Sequence, residues 1–140
     1  MYLFLLIGGY PDLDTSEILH SDGTVSPGKT LPTPVYGHCM VTINDGRIMI
    51  LGGSDGSIID GKKNVWIYDH EDETFTPGPK MAKDHYWHSC TLFKSAMHNY
   101  REVALVAGGI QTDTVELWDY QTEGSKWITS KWNFVFELNS

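Results

Sequence analysis

A period of 50 residues runs through this chain and limits what it can fold into. His38 and His88 stand 50 apart, each directly after a loop. Val65-Trp66-Ile67-Tyr68-Asp69 reappears 50 residues on as Val115-Glu116-Leu117-Trp118-Asp119. Thr24-Val25-Ser26-Pro27-Gly28 returns at the same interval as Thr74-Phe75-Thr76-Pro77-Gly78. A fixed period in this range marks an array of similar structural units. The Gly-Gly pairs at Gly52 and Gly108 break the interval, at 56 residues. The stretch from His to Gly-Gly is 14 residues in one unit and 20 in the next, and the stretch that follows is six shorter. Length changes that leave the frame intact belong in loops.

Within each unit the apolar runs are short, rich in branched residues and closed by glycine, which reads as buried strand. Examples are Ile48-Met49-Ile50-Leu51-Gly52-Gly53 and Val103-Ala104-Leu105-Val106-Ala107-Gly108-Gly109. Each unit is expected to hold four strands, a to d. In the second unit a covers about 38–43, b 47–51, c 64–68 and d 74–76. In the third, a covers about 88–93, b 102–107, c 114–118 and d 126–129. Asn44-Asp45-Gly46 carries Asp-Gly, a strong hairpin signal, between a and b. The acidic run Asp69–Glu73 is the c–d turn. No helical period competes, so the chain reads as all-β.

Lys and Arg total 10 against 18 Asp and Glu, a net charge of −8. Such a balance disfavours a nucleic-acid partner, which calls for a basic face. No run of eighteen apolar residues is present, so no membrane-spanning helix is expected. Met1–Gly9 lacks the basic start of a signal peptide and reads as a strand. Two cysteines, Cys39 and Cys90, are too few for a disulfide-stapled fold and are expected as reduced, buried thiols in a cytoplasmic protein.

The ordered set of Gly-Gly after strand b, Tyr68-Asp69 or Trp118-Asp119 on c, and Phe75 or Trp127 on d resembles kelch repeats. The resemblance covers nearly the whole chain. It departs at Phe75, where the family usually has Trp, and in the first unit, which offers Glu17-Ile18-Leu19 in place of the Tyr-Asp pair. The resemblance implies a β-propeller of four-stranded antiparallel blades. The expected divisions are 1–37 for a partial first blade, 38–86 for the second and 87–140 for the third. The paired aromatic residues are expected to pack as core.

A unit takes about 50 residues and a ring needs about 4–8 blades, so 140 residues supply about three. The expected architecture is therefore a partial propeller that is not closed. Tyr2–Ile7 is read as a strand b without a strand a before it. The remaining blades, or another chain, are expected to complete the ring. In an alternative, Trp132–Leu138, which alternates apolar and polar, caps the stack as an extra edge strand.

Strand alternation puts the a–b and c–d turns on one face and the longer b–c and d–a loops on the other. Function on a β scaffold concentrates in such loops. The loop residues expected to meet a protein partner are Tyr10, Tyr36, Asp55, Asp60, Lys62, Lys63, His85, Tyr86 and Trp87, aromatic groups beside charges. His85 and His88, three apart, are not expected on one side of a strand, and recurrence of His38 and His88 favours a structural role over metal binding. Asp69–Glu73 lacks the ligand spacing of a calcium loop. No catalytic constellation, metal site or cofactor site is expected. The resemblance implies a protein-interaction module, such as the substrate-recognition part of a ubiquitin-ligase adaptor or a cytoskeletal scaffold. The alternative it leaves open is a piece of a kelch-propeller enzyme resembling galactose-oxidase-like copper enzymes.

Overall fold

The computed structural model describes residues 4–9, 14–56, 62–110 and 112–131. They form three antiparallel meanders, none of them closed. Sheet one holds β1 (Phe4–Ile7), β2 (Ser16–Leu19) and β3 (Val25–Pro27). Sheet two holds β4 (Cys39–Thr42), β5 (Ile48–Leu51), β6 (Val65–Asp69) and β7 (Thr74–Pro77). Sheet three holds β8 (Ser89–Ser95), β9 (Arg101–Ala107), β10 (Thr114–Trp118) and β11 (Ile128–Lys131). The architecture is that of a partial propeller, with sheet one lacking a strand equivalent to β4 among the described residues.

Period-two geometry explains why β5 is apolar at every position. Successive side chains point to opposite faces. Met49 and Leu51 join Val65, Met81, Val106, Trp118 and Trp127 in a core shared with sheet three. Ile50 joins Ile7, Leu31, Val35 and Tyr68 in a core shared with sheet one. The middle sheet is thus buried on both faces. Across the strands Tyr68 opposes Phe75, with ring centroids 4.8 Å apart, and Trp118 lies 5.6 Å from Trp127. Trp127 also donates its indole N–H to the Pro79 carbonyl of the preceding unit at 2.8 Å. The aromatic residues are core, as their recurrence implied.

Two strand ends differ from the sequence reading. β8 runs on to Ser95, because the a–b hairpin of sheet three continues its ladder to Ser95 opposite Arg101. A single 3₁₀ turn, Ala96–His98, caps it and is the only helical element among the described residues. β11 begins two residues later than expected. There the Ser125 hydroxyl bonds the Asp119 carbonyl and accepts from the Trp118 indole, which holds the preceding segment in a turn.

The cysteine expectation is overturned. Cys39 in β4 and Cys90 in β8 form a disulfide, with Cα atoms 6.0 Å apart. β4 and β8 are the first strands of neighbouring sheets and lie side by side. The bridge therefore joins one unit to the next. The expected cap at 132–138 and the start of the first strand, Tyr2 and Leu3, lie outside the described residues.

Candidate functional site: the b–c and d–a loop face

Backbone hydrogen bonds gather the loops of this face around Gly53. Tyr36 and Ser54 exchange two, at 2.9 Å each. Gly53 N–H donates to the His85 carbonyl at 2.8 Å, and Lys62 N–H donates to Gly53 at 2.8 Å. Trp87 N–H donates to Gly37 at 2.7 Å, and Ile110 N–H to Tyr86 at 3.0 Å. Gly53 has φ +96°, and a side chain there would strike Val35 and the Tyr36 carbonyl, so only glycine fits. The second Gly of the pair is thus the joint on which the loops of neighbouring units meet.

Of the residues expected from the sequence, the structure brings together Tyr36, Asp55, Lys62, Tyr86 and Trp87. Tyr36 packs its ring edge-on to Trp87, centroids 6.1 Å apart. Lys62 Nζ lies 3.0 Å from Asp55 Oδ2. Both line a cleft of about 250 Å³, together with Thr33, Val35 and Trp66. Lys63 is exposed beside it. Tyr10 and Asp60 lie outside the described residues.

Trp87 stands out. The residue is 63% exposed. Its φ is 53°, in the left-handed region that a bulky residue rarely occupies. One repeat earlier the same position is Gly37, with φ 62°. The chain thus holds an indole in solvent at a backbone geometry that its sister unit gives to glycine. Ile110, 46% exposed and bonded next to it through Tyr86, adds apolar surface that the sequence reading missed. Its position directly after the Gly-Gly pair was the available signal.

His85 does not belong to the loop surface. Its side chain is 0% exposed, as is that of Glu116. Its Nδ1 lies 2.8 Å from the Gly108 carbonyl and its Nε2 3.0 Å from Glu116 Oε1. The carbonyl can only accept, so Nδ1 carries a proton. Burial pushes the Glu116 carboxyl up. The His85 bond and the amides of Ala82 and Lys83, at 2.7 and 2.8 Å, more than offset that and hold it below the usual range. Glu116 is therefore a carboxylate. The result is a buried His85–Glu116 pair that ties the loop entering sheet three to β10.

The expected separation of His85 and His88 also fails. Their rings stand 5.6 Å apart, because the left-handed turn at Trp87 folds the chain back between them. Burial, and then repulsion from His85, lower the His88 pKa to about 4. The Leu51 carbonyl beside it opposes the shift, yet neither ring nitrogen meets hydrogen-bond geometry. Burial lowers the His38 pKa too. A folded-state value below the unfolded one means the unfolded chain binds more protons. Stability is therefore complete above about pH 6.5 and falls as the pH drops towards 4. For His88 we expect a loss of about 2 kcal/mol, discounted for partial solvation. Urea titrations at successive pH values check it, and His88→Gln should flatten the slope. A denaturation midpoint unchanged across that range would rule the effect out. No cluster of three or more His, Cys, Asp or Glu residues suited to a metal ion exists among the described residues.

Comparison with known proteins meets this geometry at sheet two. Residues 34–82 match the Kelch motif family model. Sheet two is similar to a kelch repeat. The matched span runs from the loop before β4 to the loop after β7, including the Gly-Gly joint and the Tyr68-Asp69 pair. Sheet three repeats that kelch order of strands, Gly-Gly and aromatic-Asp pair at the sequence level. No curated protein matches the chain.

Proposed function

We propose that the chain is a non-catalytic protein-interaction module of kelch type, with the b–c and d–a loops as its binding face. The observation that carries this is Trp87, an exposed indole kept in a left-handed conformation and braced by Tyr36. Aromatic anchors of this kind dominate interface energies. A rigid loop presents them without the entropy cost of ordering. Asp55, Lys62 and Lys63 supply polar contacts at the rim of the adjoining cleft. Substrate recognition for a ubiquitin ligase and cytoskeletal scaffolding are the finer roles in view, and the identity of the captured protein separates them.

Trp87→Gly tests the face. Glycine suits the backbone there, so stability should stay within about 1 kcal/mol of the parent. Loss of the anchor should weaken a captured partner by about 30-fold, the size of a hot-spot truncation. Affinity capture with parent and variant, followed by titration of the captured protein, measures both. Full retention of every partner by Trp87→Gly and by Tyr36→Ala would sink the assignment.

Among the described residues no helix is long and apolar enough to cross a membrane. The cytoplasmic setting expected from the sequence would hold Cys39 and Cys90 as thiols, since glutathione keeps such pairs reduced. The bridged form belongs to an oxidising compartment. Alkylation of intact cells before lysis distinguishes the two settings by whether the pair takes up the reagent.

A further inference from the structure

Two stretches of chain converge at the loop face. Gly37 and His38 lead into β4, and Trp87 and His88 lead into β8. Trp87 N–H donates to the Gly37 carbonyl at 2.7 Å. The indole lies over Gly37, 3.3 Å from where a side chain there would begin, and Tyr36 meets the same ring edge-on. Cys39 and Cys90 follow within two and three residues of this contact, and they are bridged. The disulfide therefore ties the two sheets together directly beside the aromatic pair.

Few other bonds span the gap at this point. On its own sheet Trp87 is flanked by the Tyr86 carbonyl, bonded to Ile110, and by Ser89, laddered to Ala107. Towards sheet two the Gly53–His85 bond holds the preceding loop. Among the described residues no ladder joins β4 to β8. His38 Nδ1 and both ring nitrogens of His88, buried between the aromatic pair and the bridge, have no hydrogen-bond partner. Across the gap, the Gly37 bond, the Tyr36 contact and the disulfide are what position Trp87. Its φ of 53° is a conformation that a bulky residue keeps only where its surroundings over-determine it.

We propose that the Cys39–Cys90 bridge is a redox latch on the loop face. Closed, it holds Trp87 against Gly37 and Tyr36. Opened, it lets the two strand entries part and the indole leave that pose. As the control of a binding face, the latch rests on the reading of Trp87 as the anchor. Both cysteines are only half-buried, so a dithiol reductant reaches them. Its thiolate attacks one sulfur and forms a mixed disulfide. Its second thiol then attacks that bond, and the reductant leaves as a disulfide. Two electrons and two protons end on Cys39 and Cys90 as thiols.

NMR spectra of the intact chain, first oxidised and then treated with dithiothreitol, test the latch without any partner. In the oxidised chain we expect proton contacts between the Tyr36 and Trp87 rings and an upfield Gly37 signal beneath the indole. On reduction both should disappear, while contacts within the core of Met49, Leu51, Val106 and Trp118 persist. Cys39→Ser with Cys90→Ser should show the reduced pattern without reductant and ignore dithiothreitol. Ring contacts that survive reduction overturn the latch, whatever Trp87 binds. So does simultaneous loss of the core contacts, since the bridge would then hold the whole interface rather than the anchor. A captured partner should bind the reduced chain about tenfold more weakly, the effect of a competent pose populated one tenth of the time. A partner that needs Trp87 yet binds both forms alike overturns the gating. One indifferent to Trp87→Gly counts against the anchor reading alone, because the ring contacts judge the latch separately.

Discussion

Replacing Glu116 with alanine is expected to cost about 3–5 kcal/mol of folding stability. The carboxylate is wholly buried and accepts from His85 Nε2 and from the amides of Ala82 and Lys83. Its removal leaves the buried His85 ring and the amides of Ala82 and Lys83 without their shared acceptor. A small domain holds only about 5–15 kcal/mol in all, so the variant should lose a large share of its stability. His85→Leu in the same chain should recover a large part of the loss, since replacing both buried polar partners by apolar groups leaves neither of them unsatisfied. The coupling from a double-mutant cycle is the number to measure, by urea unfolding of parent, both single variants and the double. Strictly additive effects would mean that the pair contributes nothing as a pair.

This pair also shows what the sequence could and could not disclose. In sheet two the positions 50 residues earlier are Val35 and Trp66, both part of the apolar core, where Trp66 donates its N–H to Thr33. His85 and Glu116 replace them in register, two polar residues at two apolar positions. Read as a pair, that double change was a legible sign of a buried contact. Read singly, His85 passed for a loop residue because it stands beside Tyr86 and Trp87. The strands themselves were legible because their signal is local: apolar runs, Gly-Gly ends and Asp-Gly turns. The loop face was legible in part, from strand alternation. What fixed its centre, the left-handed turn at Trp87 and the joint at Gly53, depends on contacts between units that no local pattern records. The extra hairpin length of sheet three was visible as six added residues. The 3₁₀ turn at its tip was not.

The Cys39–Cys90 bridge was hidden for the same reason, and it carries the second large expected effect. The two cysteines are 51 residues apart, one off the repeat, so Cys90 falls where sheet two has Met40. Periodicity therefore gave no hint that they meet. They meet because the first strands of adjacent sheets lie side by side, and a one-residue offset brings the sulfurs across from each other. A cross-link that closes a loop of this length removes conformational freedom from the unfolded chain worth about 4 kcal/mol. Reduction, or Cys39→Ser with Cys90→Ser, is expected to lower the unfolding free energy by about that amount. It should do so while leaving the strands in place, because the interface between sheets two and three also rests on Met49, Leu51, Val106, Trp118 and Trp127. Urea unfolding with and without reductant measures the loss directly. A protein whose midpoint ignores reductant, and whose thiols alkylate freely in the native state, would show that the bridge is not part of the folded chain. If the loss appears as expected, it compounds with Glu116→Ala. Both ties hold sheet three to the rest of the molecule, so reduction of the Glu116 variant should release that sheet first. Amide exchange would register this as lost protection in β8–β10 before β5 and β6.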